Sequence, residues 1–493
     1  MSLMGIDVGT SGCKAVIFSQ DGQILSSAYR EYAFVSPEPG WGQLESLAVW
    51  GKIKETIAEA AAGCSEGVTA LAVTSLGESL VPVTRKREVL ADSLLLFDPR
   101  GDEFLEELGS RLDDETLYRI NGNTLGSPFS LSKLMWIKRN WAEAYERADV
   151  FLFWSGFVAF MLGAEPAADY SLANRSLLFD IDRTDWSERL LGWSGLDRDK
   201  LPDTVPSGTL IGRVSGQAAE ELGLPEGAAI CAGAHDQCAN ALGSGVTEAG
   251  EAMFGMGTYL CIVPVFAERP AARVMIERGL NTEHHARPDR FVSFIYNQCG
   301  SVVKWYRDTF AAQEHIRAQA EGADVYDRLF AELSDDPGGV LVLPHFAFMG
   351  PPEFISDASG VIAGLRLDTR RGDVLKGILE GSIFALKESV ATLPGAGINP
   401  RRYRAAGGGS RSGAWVQLCA DILDCPFERT DVTEAGALGA AILAGAGTGV
   451  YSSLEEGTAA TVRVHDRFEP DAAKVSLYKE RYESYSQLWS LLQ

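Results

Sequence analysis

Two short turns, DVGTSG at residues 7–12 and FGMGT at residues 254–258, share a glycine followed by threonine. Each turn lies between apolar, strand-like runs of sequence. Bare glycine N–H groups and a hydroxyl at a hairpin tip are suited to holding a phosphate group. The repeat of strand, Gly-Thr turn and strand therefore predicts a divergent internal duplication, with a phosphate clamp in each half.

A third glycine-rich stretch, GGGSRS at residues 407–412, follows a β-rich run and precedes a helix that we predict over Trp415 to Leu423. Three glycines let backbone N–H groups approach an anion, and a helix N-terminus adds partial positive charge. This combination predicts a nucleotide site. The alternative is a tight connection without a ligand.

Strand-like runs and helical patterns alternate along the chain, which indicates α/β architecture with sheets covered by helices. We predict a helix from about Leu44 to Ala62 and strands over Val68 to Ser75 and Leu80 to Val83. The longest uncharged run, Val150 to Ala164, is too short for a membrane helix and predicts a buried helix. Clustered Gly, Ser and Thr at Gly243 to Gly250 predict a hinge and two lobes, residues 1–245 and 246–493.

Composition narrows the class of partner. The chain has 44 Lys plus Arg against 67 Asp plus Glu, a formal net charge of −23, which argues against a nucleic-acid partner. Its eight cysteines form no CxxC pair, as expected of a reducing, cytoplasmic compartment. The six histidines show no metal-binding spacing. Neither a membrane nor a nucleic acid is expected as a partner.

The segment CAGAHDQCANALG at residues 231–243 contains the main catalytic candidate, Asp236. Small residues lead out of a strand, and Asp236 falls in the first turn of the helix that follows. The helix dipole keeps a carboxylate there ionised, so that it can accept a hydroxyl proton. An ordinary helix-capping aspartate is the alternative. His235 is interpreted as a packed or hydrogen-bonded side chain.

Further motifs lie between and after these segments. They are FSLSKLMW at 129–136, DYSLA at 169–173, WYRD at 305–308, GVIAGL at 360–365 and EAGALGA at 434–440. Together, from Gly5 to about Tyr451, they resemble the FGGY carbohydrate kinases of the actin-like ATPase superfamily. The resemblance implies an α/β protein whose two lobes have the actin-like ATPase (ribonuclease H-like) fold, with a cleft between them.

The resemblance also implies roles for particular residues. Asp7 matches the Mg²⁺-associated aspartate, and Asp236 matches the catalytic base. The positions implied to contact ATP are Thr10, Ser11, Lys14, Gly257, Thr258, Gly300, Lys304, Gly408, Gly409 and Ser412. In such a site, positioning, Mg²⁺ and N–H groups around the γ-phosphoryl group provide most of the catalysis.

The acceptor pocket departs from the common pattern of the family. Where many members carry Met-His, this chain has Gly77 and Glu78. Glu78 with Gln237 is similar to the glycerol-kinase pattern, but the arginine of that pattern is replaced by Gly77. The segment LFDPR at residues 96–100 keeps Asp98 and Arg100 and lacks a tryptophan. We assign Glu78, Gln237, Asp98 and Arg100 to acceptor binding; an exposed loop charge is the alternative for Glu78.

These observations predict an ATP- and Mg²⁺-dependent kinase that phosphorylates a primary hydroxyl of a small sugar, sugar acid or polyol, with a ketose such as xylulose preferred. One rival is an actin-like, ATP-driven switch or chaperone, which would lack the Asp236 segment. Another is a binding protein that has lost catalysis, which the presence of both Asp7 and Asp236 disfavours. The sequence leaves the acceptor and the oligomeric state open, a homodimer being one alternative.

Overall fold

A computed structural model describes residues 2–346 and 359–491 of the chain. Its first half contains a six-stranded sheet in which apolar runs, buried on both faces, form the central strands. In spatial order the strands are Leu210–Arg213, Ala229–Cys231, Val68–Ser75, Ser2–Val8, Gly12–Phe18 and Ile24–Glu31. The first three strands of the sheet in chain order pair antiparallel, and Val68–Ser75 and Ala229–Cys231 extend it in parallel. Leu210–Arg213 adds an antiparallel edge strand next to Ala229–Cys231.

The second half repeats this arrangement in an eight-stranded sheet. Its strands are Glu283–His284, Phe291–Val292, Tyr259–Phe266, Glu251–Met256, Arg402–Ala406, Phe427–Thr430 and Val464–Phe468, with Ile295–Gln298 also paired to Tyr259–Phe266. Two antiparallel pairings are again followed by two parallel ones. The shared order confirms the predicted α/β class and supports the internal duplication.

Helices cover both sheets. In the first half they are Ser46–Ala62, Leu105–Arg111, Asp114–Asn121, Ser130–Asn140, Ala142–Arg147, Trp154–Leu162, Tyr170–Asn174, Glu188–Ser194, Gly216–Leu222 and Asp236–Gly243. In the second half they are Ala272–Ile276, Gly300–Phe310, Ala312–Glu321, Val325–Phe330, Arg371–Thr392, Gly413–Leu423, Ala435–Gly447, Leu454–Thr461 and Ala472–Ser490. Short two-stranded pairings add Gln43–Leu44 with Ser93–Leu94, Leu80–Val83 with Val150–Phe153, Ala167–Asp169 with Asp203–Val205, Phe179–Asp180 with Asp185–Trp186, and Leu341–Leu343 with Val361–Ala363.

The prediction of one buried helix over Val150 to Ala164 is wrong. The run divides into the strand Val150–Phe153 and the helix Trp154–Leu162, both buried. A continuous apolar run does not distinguish a buried strand from a buried helix, and pairing with Leu80–Val83 draws its first residues into a strand. In the described part of the chain, no helix combines the length and apolar character required to cross a bilayer.

Two helices of small residues join the halves. Asp236–Gly243, at the end of the first half, packs along Ala435–Gly447, which also lies on the first sheet. A Cβ atom at Gly439 would overlap the carbonyl oxygen of Ala239, and one at Gly243 would overlap that of Ala435. The two backbones are therefore in direct contact. The lobe division at residues 245/246 stays a prediction, since a helix from the second half packs on the first sheet.

Candidate active site

The first sheet brings three segments together at the carboxyl ends of its parallel strands. Asp7 lies opposite Thr74 in the pairing of the first two parallel strands. An isolated parallel bridge joins Ser75 to His235, just past the end of Ala229–Cys231. Because parallel strands end at the same edge of a sheet, Asp7, Glu78 and Asp236 share that edge.

Asp236 occupies the first position of the helix Asp236–Gly243, with about a quarter of its side chain exposed. Its Oδ1 atom accepts a hydrogen bond of 3.1 Å from Gln237 Nε2 and lies 3.3 Å from His235 Nε2. Burial, together with the negative charges of Asp7 and Glu78, raises the pKa of this carboxyl group to about 7. A carboxylate with a pKa near neutrality is suited to accept a proton from an alcohol.

Asp7 belongs to the same group of acids. Burial and the negative charge of Glu434 raise its pKa to about 6, while Lys14 opposes the shift. A Cβ atom at Gly436 would lie 2.7 Å from Asp7 Oδ2, so the start of the helix Ala435–Gly447 closely approaches this carboxylate. Asp7 and Asp236 therefore form a pair of carboxylates that repel one another.

A divalent cation would relieve this repulsion. Among residues 2–346 and 359–491, no three His, Cys, Asp or Glu side chains are arranged to hold a metal ion. Mg²⁺ commonly binds through one or two carboxylates, with water and substrate phosphates completing its octahedral shell. Asp7 fits that mode, in which protein oxygen atoms supply only part of the coordination, and Asp236 stays available to a hydroxyl group.

His235 packs against the site. Its backbone N–H donates to Ser171 Oγ at 2.8 Å, and its ring lies edge-on to Phe294 with centroids 5.2 Å apart. Burial, with the positive charge of Arg175, keeps the pKa of its imidazole well below the usual range. The ring is therefore neutral near pH 7, as expected of a packed histidine.

The first Gly-Thr turn closes tightly. The Gly9 N–H donates to the Gly12 carbonyl at 2.9 Å, and Tyr32 Oη donates to the Gly9 carbonyl at 2.6 Å. Thr10 is half-buried and Ser11 is exposed, so both are accessible to a ligand. Lys14, two residues beyond the turn, forms an ion pair of 2.6 Å with Glu434, which precedes the helix Ala435–Gly447.

The second Gly-Thr turn packs on a helix start. Gly257 and Thr258 are exposed, and a Cβ atom at Gly300 would overlap the Gly257 carbonyl oxygen. The Ser301 N–H donates to the Thr258 carbonyl at 3.2 Å. The structure thus brings Gly257, Thr258 and Gly300 together. Lys304 lies one turn further along, 64% exposed, and pairs with Asp308 at 2.8 Å.

The glycine tract of residues 407–412 adjoins this second turn. Gly407 has a φ of +86°, and a Cβ atom on it would approach the Met256 carbonyl oxygen to 3.0 Å. Gly409 is enclosed by Trp415 and Met256, whereas a Cβ atom on Gly408 would meet no atom within 4 Å. Ser412 caps the helix Gly413–Leu423, since its Oγ accepts from Trp415 N–H at 3.3 Å. Gly408 therefore presents bare backbone to open space.

The two sheet edges are close to each other. Cys261 lies on the strand Tyr259–Phe266, three residues after Thr258. Burial raises the pKa of the Cys261 thiol to about 12, and the charges of Asp236 and Arg175 also act on it. The catalytic candidate of the first half therefore lies within electrostatic range of the strand that follows the second Gly-Thr turn.

Glu78 takes part in a cluster that the sequence did not reveal. It is 4% exposed with a φ of +60°, and its Oε1 atom accepts from both Nε and NH2 of Arg175. The NH1 group of Arg175 also donates to Glu283 Oε1 at 2.5 Å. Glu78 is therefore a buried, paired carboxylate, contrary to the exposed-loop alternative. No signal in the sequence linked these three positions.

Asp98 and Arg100 are bound to each other. Asp98 accepts from Arg100 Nε at 2.8 Å and from the Gly42 N–H at 2.7 Å, and both side chains are buried. The Arg100 guanidinium stacks over Trp41 at 4.2 Å from the ring centroid and donates to Gln43. These partners are all internal to the protein, so the assignment of this pair to the acceptor stays a prediction that the geometry does not favour.

Comparison with known proteins gives the same picture. The model of the N-terminal domain of the FGGY family of carbohydrate kinases matches residues 2–243, and that of the C-terminal domain matches residues 263–448. Together the two models cover most of the chain.

Relatives of this chain match it over nearly their whole length. It is 25% identical to a xylulose kinase of Bacillus subtilis, over 99% of this chain and 96% of the relative. It is 28% identical to a glycerol kinase of a Geobacillus species, over 96% and 95% of the two chains. A solved structure of xylulose kinase from Rhodospirillum rubrum superposes with a TM-score of 0.87 at 26% identity, covering 100% and 99%. The chain is an enzyme that belongs to the FGGY family of carbohydrate kinases.

Proposed function

We propose that this enzyme transfers the γ-phosphoryl group of ATP to a primary hydroxyl of a small polyhydroxylated acceptor, with a ketose such as xylulose as the preferred class. The observation that carries the proposal is the position of Asp236. This carboxylate has a pKa near 7 and lies at the sheet edge that also carries the first Gly-Thr turn. A base poised near neutral pH beside a phosphate-binding turn is what phosphoryl transfer to an alcohol requires.

Asp236 acts as the general base in this proposal. Its Oδ1 atom accepts from Gln237 and lies 3.3 Å from Nε2 of the neutral His235, which leaves Oδ2 for the acceptor hydroxyl. As the new oxygen–phosphorus bond forms, the hydroxyl proton passes to the carboxylate and the γ-phosphoryl group leaves ADP. The acceptor oxygen becomes the phosphate ester oxygen.

Backbone groups hold the nucleotide. The turns at Thr10 and Thr258 approach the phosphates from the two halves, and the exposed backbone of Gly408 lies against the nucleotide. Lys14 forms an ion pair with Glu434 and would bind the phosphates by leaving that partner. Mg²⁺, when bound by Asp7, would neutralise phosphate charge.

The acceptor class rests on both the pocket and the relatives. Xylulose and glycerol, the acceptors named for relatives at 25% and 28% identity, are uncharged, whereas the gluconate kinase among the similar structures is 19% identical and shares the fold alone. Glu78 and Gln237 provide a carboxylate and an amide near Asp236, which suit hydroxyl groups. Ketoses and polyols are therefore ranked above sugar acids.

A coupled ADP-release screen tests the proposal. Purified enzyme with ATP and Mg²⁺ is assayed with pentuloses, hexuloses, polyols and aldonates, and with no acceptor as control. We expect ADP release that depends on a specific acceptor. ADP release that is independent of every acceptor would instead favour an ATP-driven switch.

A further inference from the structure

The cluster of Arg175, Glu78 and Glu283 bridges the two halves of the chain beside the catalytic base. Arg175 and Glu78 belong to the first half, and Glu283 comes from the short strand Glu283–His284 of the second half. All three side chains are at most 14% exposed. One guanidinium is thus shared by two buried carboxylates.

The cluster has unused hydrogen-bonding capacity. Glu283 is 1% exposed, and within the described residues its Oε2 atom has no hydrogen-bond partner, although Oε1 accepts from Arg175 and from Asn281 at 2.7 Å. A buried carboxylate oxygen without a partner carries a free-energy penalty unless a ligand or water donates to it. Toward the residues that the structure describes, the Arg175 nitrogen atoms use three of the five guanidinium N–H groups, which leaves two to donate.

The absence of a side chain at Gly77 leaves room for Arg175 beside the catalytic centre. A Cβ atom at Gly77 would lie 3.3 Å from Arg175 Cγ and 3.2 Å from His235 Nε2, tighter than most such contacts. The aliphatic stem of Arg175 therefore runs past the neighbour of Asp236. The guanidinium lies between the rings of Phe129 and Phe294, at 5.0 and 5.7 Å from their centroids.

We propose that Arg175 and Glu283, together with Glu78, form the specificity-determining group of the acceptor pocket and select uncharged polyhydroxylated acceptors over sugar acids. This inference rests on the proposed kinase function. The free Glu283 oxygen accepts from an acceptor hydroxyl, and the two remaining Arg175 N–H groups donate to hydroxyl oxygens.

The charges around the pocket explain the selection. Carboxylates at Asp7, Asp236, Glu78 and Glu283 outnumber the guanidinium of Arg175, and ATP adds further negative charge. Lys133 also interacts electrostatically with Glu78, but it is 3% exposed and donates to the Ser127 carbonyl at 2.6 Å. An acceptor carboxylate would meet a guanidinium already neutralised by two carboxylates.

Matched acceptor pairs test this inference. Initial rates are measured for xylulose against xylonate and for glycerol against glycerate, in the wild type and in Glu283→Gln. For the wild type we expect kcat/KM to favour the uncharged member of the preferred pair by at least a hundredfold. Glu283→Gln should narrow that ratio at least tenfold. The KM of the uncharged substrate should rise because an amide oxygen accepts a hydrogen bond from its hydroxyl more weakly, and the KM of the aldonate should fall because one repelling carboxylate is removed.

Glu314→Gln is the matched control. Glu314 shares Arg371 with Glu332 in the second half, the same arrangement of one arginine and two glutamates. Its substitution should leave the acceptor ratio unchanged. If Glu283→Gln does not fold, Glu78→Gln tests the same charge argument while keeping the Arg175 to Glu283 pair.

The outcomes separate the inference from the proposed function. Equal use of aldonate and uncharged acceptor by the wild type, or a folded Glu283→Gln with an unchanged ratio, would overturn the inference while kinase activity stands. Absence of ADP release with any acceptor would refute the proposed function. In that case, calorimetric binding of the uncharged acceptor but not of the aldonate would still support the pocket, and equal binding would overturn it.

Discussion

The acceptor side and the nucleotide side of the site are built in opposite ways. Near Asp236 the structure concentrates charged side chains, whose pKa values shift because they are buried close together. Near Gly408 it omits side chains, so that backbone is exposed. Acceptor chemistry therefore depends on which side chains are charged, whereas nucleotide binding depends on backbone that no side chain covers. Substitutions on the two sides should fail in different ways.

The largest effect is expected at the base. Asp236→Asn keeps the shape of the side chain but removes its ability to take a proton, so kcat should fall by about 10² to 10⁴-fold with little change in either KM. Steady-state kinetics and a thermal unfolding curve measure this. Asp324→Asn, at the N-terminus of the helix Val325–Phe330, serves as control. Retention of more than about a tenth of the activity would remove Asp236 as base.

The pH dependence of the rate should follow the same carboxylates. Asp7 and Asp236 have raised pKa values of about 6 and about 7, so each is protonated at a higher pH than an ordinary aspartate. A protonated base is inactive, so kcat/KM should fall about tenfold per unit as pH decreases below 7, fall more steeply below 6 where Asp7 is protonated as well, and level off above 7. Rates measured from pH 5 to 9 test this. A flat profile between pH 5.5 and 8 would show that no such base limits the reaction.

On the nucleotide side, Gly408→Val should raise the KM for ATP about tenfold, or about 1.4 kcal/mol. The Cβ atom of the valine would meet no protein atom within 4 Å, so the stability of the fold and the KM for the acceptor should not change. The added side chain should instead intrude on the nucleotide. Gly339→Val, another exposed position with open space around Cβ, is the control. A higher KM for the acceptor with an unchanged KM for ATP would show that the nucleotide does not bind at Gly408.

The smallest effect is expected at Lys304. This side chain is exposed and paired with Asp308, so Lys304→Met should raise the KM for ATP only about two- to threefold and leave stability within about 0.5 kcal/mol. Kinetics at varied ATP and thermal unfolding check both values. Lys479→Met, which removes a similar exposed pair with Asp424, should change neither. A tenfold rise in the KM for ATP in Lys304→Met would show that this side-chain charge contributes substantially to nucleotide binding.

Much of the fold followed from local pattern. The strands Val68–Ser75 and Leu80–Val83 have the predicted bounds, and the first long helix begins at Ser46, two residues later than expected. These segments combine a clear period with turn residues at their ends. The prediction for the run Val150 to Ala164 was wrong because its apolar residues show no period. Only pairing with Leu80–Val83 makes its first residues a strand.

The site was predictable where a motif is contiguous. Asp7, Asp236 and the glycine turns each lie in one short stretch of sequence. Arg175 and Glu283 were missed because 108 positions separate them and only the packing of the two halves brings them together. Glu434 belongs to a quoted motif, but its pairing with Lys14, 420 positions away, was missed for the same reason. The small residues of the segment 434–440 were the one signal of close helix packing that could have been used.

The contact between the helices Asp236–Gly243 and Ala435–Gly447 limits how this enzyme can be made more heat-resistant. Replacing a helical glycine by alanine usually strengthens a helix by up to about 1 kcal/mol. Gly51, in the helix Ser46–Ala62, has free space for the added methyl group and suits this strategy. Gly439 and Gly243 do not, because the methyl group would push the two backbones apart. A consensus-guided redesign should leave the glycines of this contact unaltered.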